Sequence, residues 1–426
     1  MSSECITTEM KKPPAKAIAA AVAGNALEFY DFIIYSFFAV HIGASFFPTG
    51  DKFTSLLASV AVYGVGFFTR PLGGIIIGAY ADKKGRRAAM ILTVTLITIG
   101  TLGLAATPSY EKIGMVAPII VLLARLTQGL ALGGEVGPAS AMLIESAPVN
   151  KRAFYASWQM ASQGIAVASG GIVGFVVSAV LSEEQIYNWG WRIPFLISLI
   201  LIPIAVYIRR ALPETLEKPN HDTGTHMLSI IFSNYGKYIL LGIVALMATA
   251  ITAQIGNYMT TYAVTILKLS TKVSQISTVI GGVMMFSFSL LAGYLADKYG
   301  RKKIMFWPRL LLAVAIVPMF YLLAETQSIW VLLLVTILVT SLTGMSGSAS
   351  LVAIPEMMPI SLRATGVSMI YAIGVTIFGG TAQYIFTVLI KHFGAVSPAY
   401  YVALTCLVSL IAVHLMPETR DVNVKD

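Results

Sequence analysis

Apolar runs of about 20 residues recur along nearly the whole chain, each long enough to cross a hydrocarbon layer about 30 Å thick as an α-helix. They fall at 18–47, 54–81, 88–107, 115–145, 153–182, 191–210, 237–267, 274–296, 304–324, 329–357, 364–391 and 397–416. No other feature restricts the fold as much, because backbone polar groups facing lipid must be satisfied within one helix or around a closed barrel. A barrel would read as alternating segments of about ten residues, a pattern this sequence lacks. Of 426 residues, 57% are hydrophobic and 12% charged, against roughly 25% charged in soluble domains. The expectation is an all-α integral membrane protein with twelve transmembrane helices.

A net charge of +9 could suggest nucleic acid as a partner, but the lysines and arginines lie in short loops between the spans. Their placement speaks of topology instead. With the N-terminus inside, twenty basic residues fall on the inner side and six on the outer: Lys52, Lys112, Arg192, Lys268, Lys272 and Lys391. Both termini are therefore expected in the cytosol, with residues 1–17 as a retained tail. Arg70, Arg125 and Arg309 fall within spans. Cys5 and Cys406 are too few for a disulfide framework, and the five histidines show no metal-ligand spacing. The sequence carries no phosphate-binding loop of an ATP-driven pump and no nucleophile elbow of a hydrolase, so the expectation is a non-enzyme powered by a gradient.

The longest polar stretch divides the chain. Gly78-Ala-Tyr-Ala-Asp82-Lys-Lys-Gly85-Arg86-Arg87 recurs as Gly293-Tyr-Leu-Ala-Asp297-Lys-Tyr-Gly300-Arg301-Lys302, Glu145 with Arg152 recurs as Glu356 with Arg363, and Pro213-Glu-Thr recurs as Pro417-Glu-Thr. Three matches in the same order indicate an internal duplication, and six spans per unit keep the repeats parallel. The reading assigns 18–212 and 237–417 to two six-helix bundles, 213–236 to a cytosolic linker and 418–426 to a C-terminal tail.

These repeats, with Gly24-Asn25-Ala-Leu-Glu28-Phe-Tyr30-Asp31-Phe32, Arg70-Pro71-Leu72-Gly73, Arg125-Leu-Thr-Gln128-Gly129, Gly133-Gly134-Glu135, Trp189-Gly190-Trp191-Arg192 and Phe378-Gly379-Gly380-Thr381, make the chain resemble the major facilitator superfamily. Within it the chain resembles the metabolite:proton symporters, which carry citrate and related carboxylates, α-ketoglutarate, shikimate or compatible solutes. The resemblance implies the major facilitator fold and a monomer in the bacterial inner membrane. It implies proton-coupled import of a small organic anion such as citrate by alternating access, with no cofactor beyond the proton gradient. The partners expected are the substrate, protons and the bilayer, and no nucleic acid. The alternatives are a symporter for betaine or proline, one for an aromatic acid such as shikimate, and a proton-coupled exporter.

An ionised side chain inside the bilayer must face a cavity, a water path or a partner, so each one is a candidate. In relatives an acid on the first helix faces an arginine on the fourth, a role that falls here on Asp31 and Arg125 for proton coupling. A permanent structural pair is the plainer reading. Glu28 shares the face of Asp31 at i,i+3 and is a further candidate for proton coupling, and Tyr35 continues that face as a candidate, with Arg125, for substrate contact. Glu135 follows Gly129 and Gly133, with Gly137 next, a stripe spaced for close helix packing, and is a candidate for the proton path or for hydrogen bonding between helices. Gln159 and Gln163, then Gln254, Asn257, Tyr258 and Tyr262, stack at i+3 or i+4, and with Tyr371 they are candidates for substrate contact or for bonds between helices. Arg309 is expected to snorkel toward the inner surface, with a second cationic substrate contact as the alternative. Arg70 is expected to be structural. Asp82, Gly85, Arg86, Arg87, Glu145, Arg152, Asp297, Gly300, Arg301, Glu356 and Arg363 are expected to form a cytosolic gate, closed when acids meet arginines and helix N-termini.

Overall fold

The computed structural model describes residues 15–84, 86–133, 143, 147–210 and 224–420, without the side chains of 15–21, 81–83, 86, 87, 90, 149, 204–210, 224–232, 234 and 360–365. Helices account for every regular element among the described residues. In chain order the long ones are α1 (Ala15–Phe37, resumed as Ala39–Phe46), α2 (Lys52–Phe68, resumed as Arg70–Lys84), α3 (Arg86–Ala106), α4 (Val116–Gly133), α5 (Arg152–Val180) and α6 (Ile193–Arg210). After the divide come α7 (Gly224–Thr265), α8 (Thr271–Tyr299), α9 (Arg301–Thr326), α10 (Ile329–Glu356), α11 (Ile360–Gly374, then a π segment, then Gly380–Phe393) and α12 (Ser397–Leu415). Among the described residues, nine helices are long and apolar enough to span a bilayer, and a tenth span is the α1 pair, bent by 66°. The cores of α3 and α6, Ile91–Ala106 and Gly190–Pro203, are shorter apolar helices.

Local chemistry sets the ends. The Asp51 carboxylate accepts from the N–H groups of Phe53 and Thr54 and caps α2, Ser270 caps α8 and Ser328 caps α10. Gly300 breaks α8 from α9 at φ +101°, a conformation that favours glycine, and a Cβ there would press on the Glu418 carboxylate.

One expectation needs correction. The segment read as a linker to residue 236 is helical from Gly224 onward and belongs to α7, a helix of 42 residues. At 1.5 Å per residue that is about 63 Å, twice the hydrocarbon thickness, so its first turns extend beyond the bilayer. The stretch lacks proline after Pro219, which leaves nothing to stop the helix from running backward out of the membrane.

Glycines set how the helices approach. Gly129 and Gly133 of α4 lie directly on the backbone of Gly66 and Arg70 in α2, so a Cβ at either would collide with a carbonyl. Gly137 and Glu135, the rest of that stripe, are outside the described residues. The two halves meet along two seams of the same kind. In one, Gly164 and Gly171 of α5 face Gly282 and Val279 of α8; in the other, Gly64 of α2 faces Gly380 of α11. Close backbone contact of this kind is what small residues permit between membrane helices.

Candidate functional site

A cavity of about 80 Å³ lies where the seams converge, walled by α1, α2 and α5 from the first half and by α7, α8, α10 and α11 from the second. Gln163, Gln254, Asn257 and Tyr371, all singled out from the sequence, line it. Arg70, expected from the sequence to be structural, lines it too. Its guanidinium lies 4.1 Å from the ring centroid of Phe67 and 4.6 Å from that of Phe32, both cavity residues. Arg70 is 5% exposed, and its Nε has no hydrogen-bond partner. α2 resumes at Arg70 and continues to Lys84, which places this side chain well inside the helix stack.

Other candidates point elsewhere. Tyr35 donates to the carbonyl of Ser59 at 3.2 Å, inside the first bundle. Gln159 donates to Asn25 Oδ1 at 3.1 Å, and Asn25 Nδ2 in turn donates to Ser162 Oγ at 2.5 Å. Tyr258 pairs with Thr387 Oγ1 at 2.9 Å beside the Phe386 ring, in the core of the second bundle. Tyr262 donates to the Ala395 carbonyl at 3.1 Å. These four are not among the cavity-lining residues described. One turn of helix explains each case: Gln159 and Gln163 are 40° apart on an ideal helix, enough to put one against α1 and the other on the cavity.

Arg309 does not snorkel. It is 2% exposed, and its Nη2 donates to Thr249 Oγ1 at 3.0 Å and to Ser350 Oγ at 2.7 Å. It sits one residue behind the cavity wall, since Thr249 is part of that wall.

Asp31 and Arg125 occur in one cluster but not as a direct pair. Asp31 Oδ2 accepts from Thr101 Oγ1 and, at 2.7 Å, from Gln128 Nε2. Gln128 Oε1 accepts from Arg125 Nη1 at 2.7 Å, so the amide stands between acid and base. Gln128 follows Arg125 at i+3 on α4, which places the amide on the same face. The guanidinium is held among the rings of Phe32, Tyr35 and Tyr63, at 4.1, 4.6 and 5.1 Å. Phe32 therefore has Arg125 on one contact and Arg70 on another. Glu28 lines a separate crevice of about 30 Å³ with Val94, Ile97 and Ser198, away from the central cavity.

At the end of the molecule where α1 starts and the last described residues lie, here the termini end, Arg301 donates through Nε and Nη2 to the two oxygens of Glu356, each at 3.0 Å, and lies 3.3 Å from Asp297. Asp297 crosses between the halves. Its carboxylate accepts from the N–H groups of Ala153 and Phe154, at 3.0 and 2.9 Å, at the start of α5, beside Arg152. Glu418 caps the start of α9 through Arg301 N and Lys302 N. In the first copy of the repeat, Gly85 and Glu145 are outside the described residues, as are the side chains of Asp82, Arg86 and Arg87, and that of Arg363 in the second.

The far end holds contacts that sequence reading did not anticipate. Lys391 of α11 lies 3.1 Å from Asp51 at the start of α2. Four bonds to Asp51, from the Thr54 hydroxyl first and then from Lys391 and the N–H groups of Phe53 and Thr54, pull its carboxyl down to about 2. Thr271 of α8 donates through N and Oγ1 to the carboxylate of Glu183, both at 3.1 Å, and its Oγ1 is 3.4 Å from His41 Nε2 of α1. Deeper, Gln383 of α11 donates to Ser36 Oγ and Gln254 Oε1 at 2.6 and 2.9 Å. Contacts between residues 88 to 347 positions apart give no local pattern, which is why these were missed.

Residues 16–230 match the family described as sugar (and other) transporters, and residues 272–426 match the major facilitator superfamily. A citrate-proton symporter of Klebsiella pneumoniae is 34% identical over 93% of this chain and 90% of its own length. An α-ketoglutarate permease of Escherichia coli is 34% identical over 93% and 92%, and a proline/betaine transporter of the same species is 30% identical over 95% and 84%. Among solved structures, the xylose transporter XylE of E. coli in a partially occluded, inward-open conformation superposes with a TM-score of 0.77 over 96% of this chain and 99% of its own, at 17% identity. Two six-helix halves around one central cavity, and relatives of this identity and coverage, lead to one conclusion: the chain is a multi-pass membrane transporter that belongs to the major facilitator superfamily, among the metabolite:proton symporters.

Proposed function

We propose that the protein is a proton-coupled symporter that imports a small organic anion, a di- or tricarboxylate such as citrate, by alternating access across the bacterial inner membrane, with its termini end in the cytosol. The observation that carries this reading is Arg70, a guanidinium in the wall of a cavity shared by both halves, whose lining also includes the amides of Gln163 and Asn257. Guanidinium is always charged and matches a carboxylate's two oxygens, while amides bond the remaining oxygens without adding charge. The citrate and α-ketoglutarate carriers among the relatives support a carboxylate.

Coupling follows from the layer behind the cavity. Asp31 faces Arg125 through Gln128, and Arg125 and Arg70 both lie against Phe32. Protonating Asp31 removes the negative charge nearest Arg125, which leaves the cavity wall more positive and favours an anion. Proton and anion then bind cooperatively. No cofactor takes part.

Betaine or proline is the second reading. The ring-rich wall of Phe29, Phe32, Phe67 and Tyr63 could hold a quaternary ammonium by cation–π contact, and the proline/betaine relative supports it.

The test is uptake into proteoliposomes under an imposed inward pH gradient, with labelled citrate, tricarballylate, succinate, α-ketoglutarate, shikimate and betaine. The expected result is a carboxylate that accumulates only with the gradient, with Arg70→Gln abolishing uptake. Asp31→Asn is expected to lose accumulation while retaining exchange. Betaine uptake with every acid ignored would move the substrate to the second reading. Accumulation without a gradient, or expulsion of the acid, would overturn symport.

A further inference from the structure

We infer that Arg309 is a second cationic contact for the substrate, gated by Thr249, and that it selects acids carrying two or more carboxylates over those carrying one; this rests on the carboxylate reading of the cavity. Arg309 is 2% exposed and permanently charged, yet hydroxyls are its only hydrogen-bond partners among the described residues: Nη2 bonds Thr249 and Ser350, while Nε and Nη1 are buried with none. The chain treats another arginine very differently. Arg301, buried to the same 2% exposure, has both oxygens of Glu356 at 3.0 Å and Asp297 at 3.3 Å. Where a buried guanidinium serves structure here, it is neutralised by carboxylates. Arg309 has no carboxylate within ion-pair distance among the described residues, although a buried charge without a counter-charge is destabilising. An anion that arrives during the transport cycle would supply what the fold withholds.

Geometry says where that anion would come from. Thr249 lines the central cavity, and its hydroxyl is what Arg309 grips from behind. Rotation of Thr249 about its side-chain bond would hand the guanidinium to a ligand in the cavity. Arg70 lines the same cavity from α2 in the other half. An acid with a carboxylate at each end therefore bridges Arg70 in the first half and Arg309 in the second, and draws the halves together. A single carboxylate satisfies only Arg70.

The experiment measures binding of succinate and butyrate, equal in carbon number but unequal in charge, together with tricarballylate, to the purified full chain by competition and thermal shift. Wild type is compared with Arg309→Gln, Arg309→Lys and Thr249→Val. We expect wild type to prefer succinate and tricarballylate to butyrate. Arg309→Gln should weaken both by ~10-fold or more with butyrate unchanged, a loss on the scale of one charge-assisted contact. Arg309→Lys should retain part of the preference. Thr249→Val, which removes the competing hydroxyl and leaves the charge, should tighten succinate and leave butyrate alone. An unchanged succinate-to-butyrate ratio in Arg309→Gln, equal loss of all acids in both Arg309 variants, or weaker succinate binding in Thr249→Val would each overturn the inference while the Arg70 site stands. A wild type that binds none of the acids would overturn the carboxylate reading and this inference together.

Discussion

Gln128 gives the first bundle a bridge that a direct ion pair would lack. Its amide offers a donor to Asp31 and an acceptor to Arg125, so the two charges are held apart yet each is hydrogen-bonded. Arg125 has no other hydrogen-bond partner at Nε or Nη2, and removing the amide leaves buried donors unsatisfied at a cost of roughly 1–3 kcal/mol. Gln128→Leu should therefore bind substrate but lose most gradient-driven accumulation, read as the ratio of accumulation to exchange in proteoliposomes. Full accumulation in that variant would mean that Asp31 acts on Arg125 by some other route. Asp51 makes a contrasting residue-scale prediction. With its folded pKa lowered to about 2, below the unfolded value of about 3.9, its bonds stabilise the folded state above that unfolded value and lose this contribution only as pH falls toward about 2. The carboxylate stays charged across pH 5–8, so Asp51→Asn should leave the shape of the transport pH profile unchanged between those limits.

Among the helices, the glycine seams set how closely the two halves pack. At Gly282 a Cβ would run into the backbone of Ala168 across the α5–α8 seam, so Gly282→Val must push the halves apart. Overpacking of this kind costs ~1–3 kcal/mol, and the purified variant should melt at lower temperature and transport more slowly. Gly236 of α7 has open space around it, and Gly236→Ala should raise stability slightly, by up to ~1 kcal/mol, through helix propensity alone. A melting scan of both variants separates the effect of the seam from that of glycine as such.

On the scale of the molecule, the two ends hold different kinds of closure. The termini end joins the halves through Asp297 and the first N–H groups of α5, backed by the Arg301–Glu356 pair; the far end joins them through Asp51–Lys391 and Glu183–Thr271. Asp297→Asn weakens charge-assisted bonds to two N–H groups, each worth roughly 1.5–3 kcal/mol, and should shift the population toward opening at the termini end. Spin labels at Lys151 and Lys298, both on an 890 Å³ groove at that end, should report a longer mean distance. Unchanged distances would show that the Asp297 bonds do not hold this end shut.

The sequence by itself determined the number of helices, the division into two similar halves and the residues too polar to face lipid. These follow from requirements local to a segment: a backbone in hydrocarbon must bond to itself, and a charge there must find shelter. Tertiary structure decided the azimuth of each helix. A 3.6-residue period tells which residues share a face but not whether that face meets the cavity or a neighbouring helix, and lipid, as apolar as leucine, gives no moment to orient it. Thus Gln163 and Asn257 reached the cavity while Gln159 and Tyr258 did not. The same limit hid the three arginines: Arg70 in the wall, Arg309 behind it, and Arg125 held off its acid by Gln128, each placed by contacts between residues far apart in the chain.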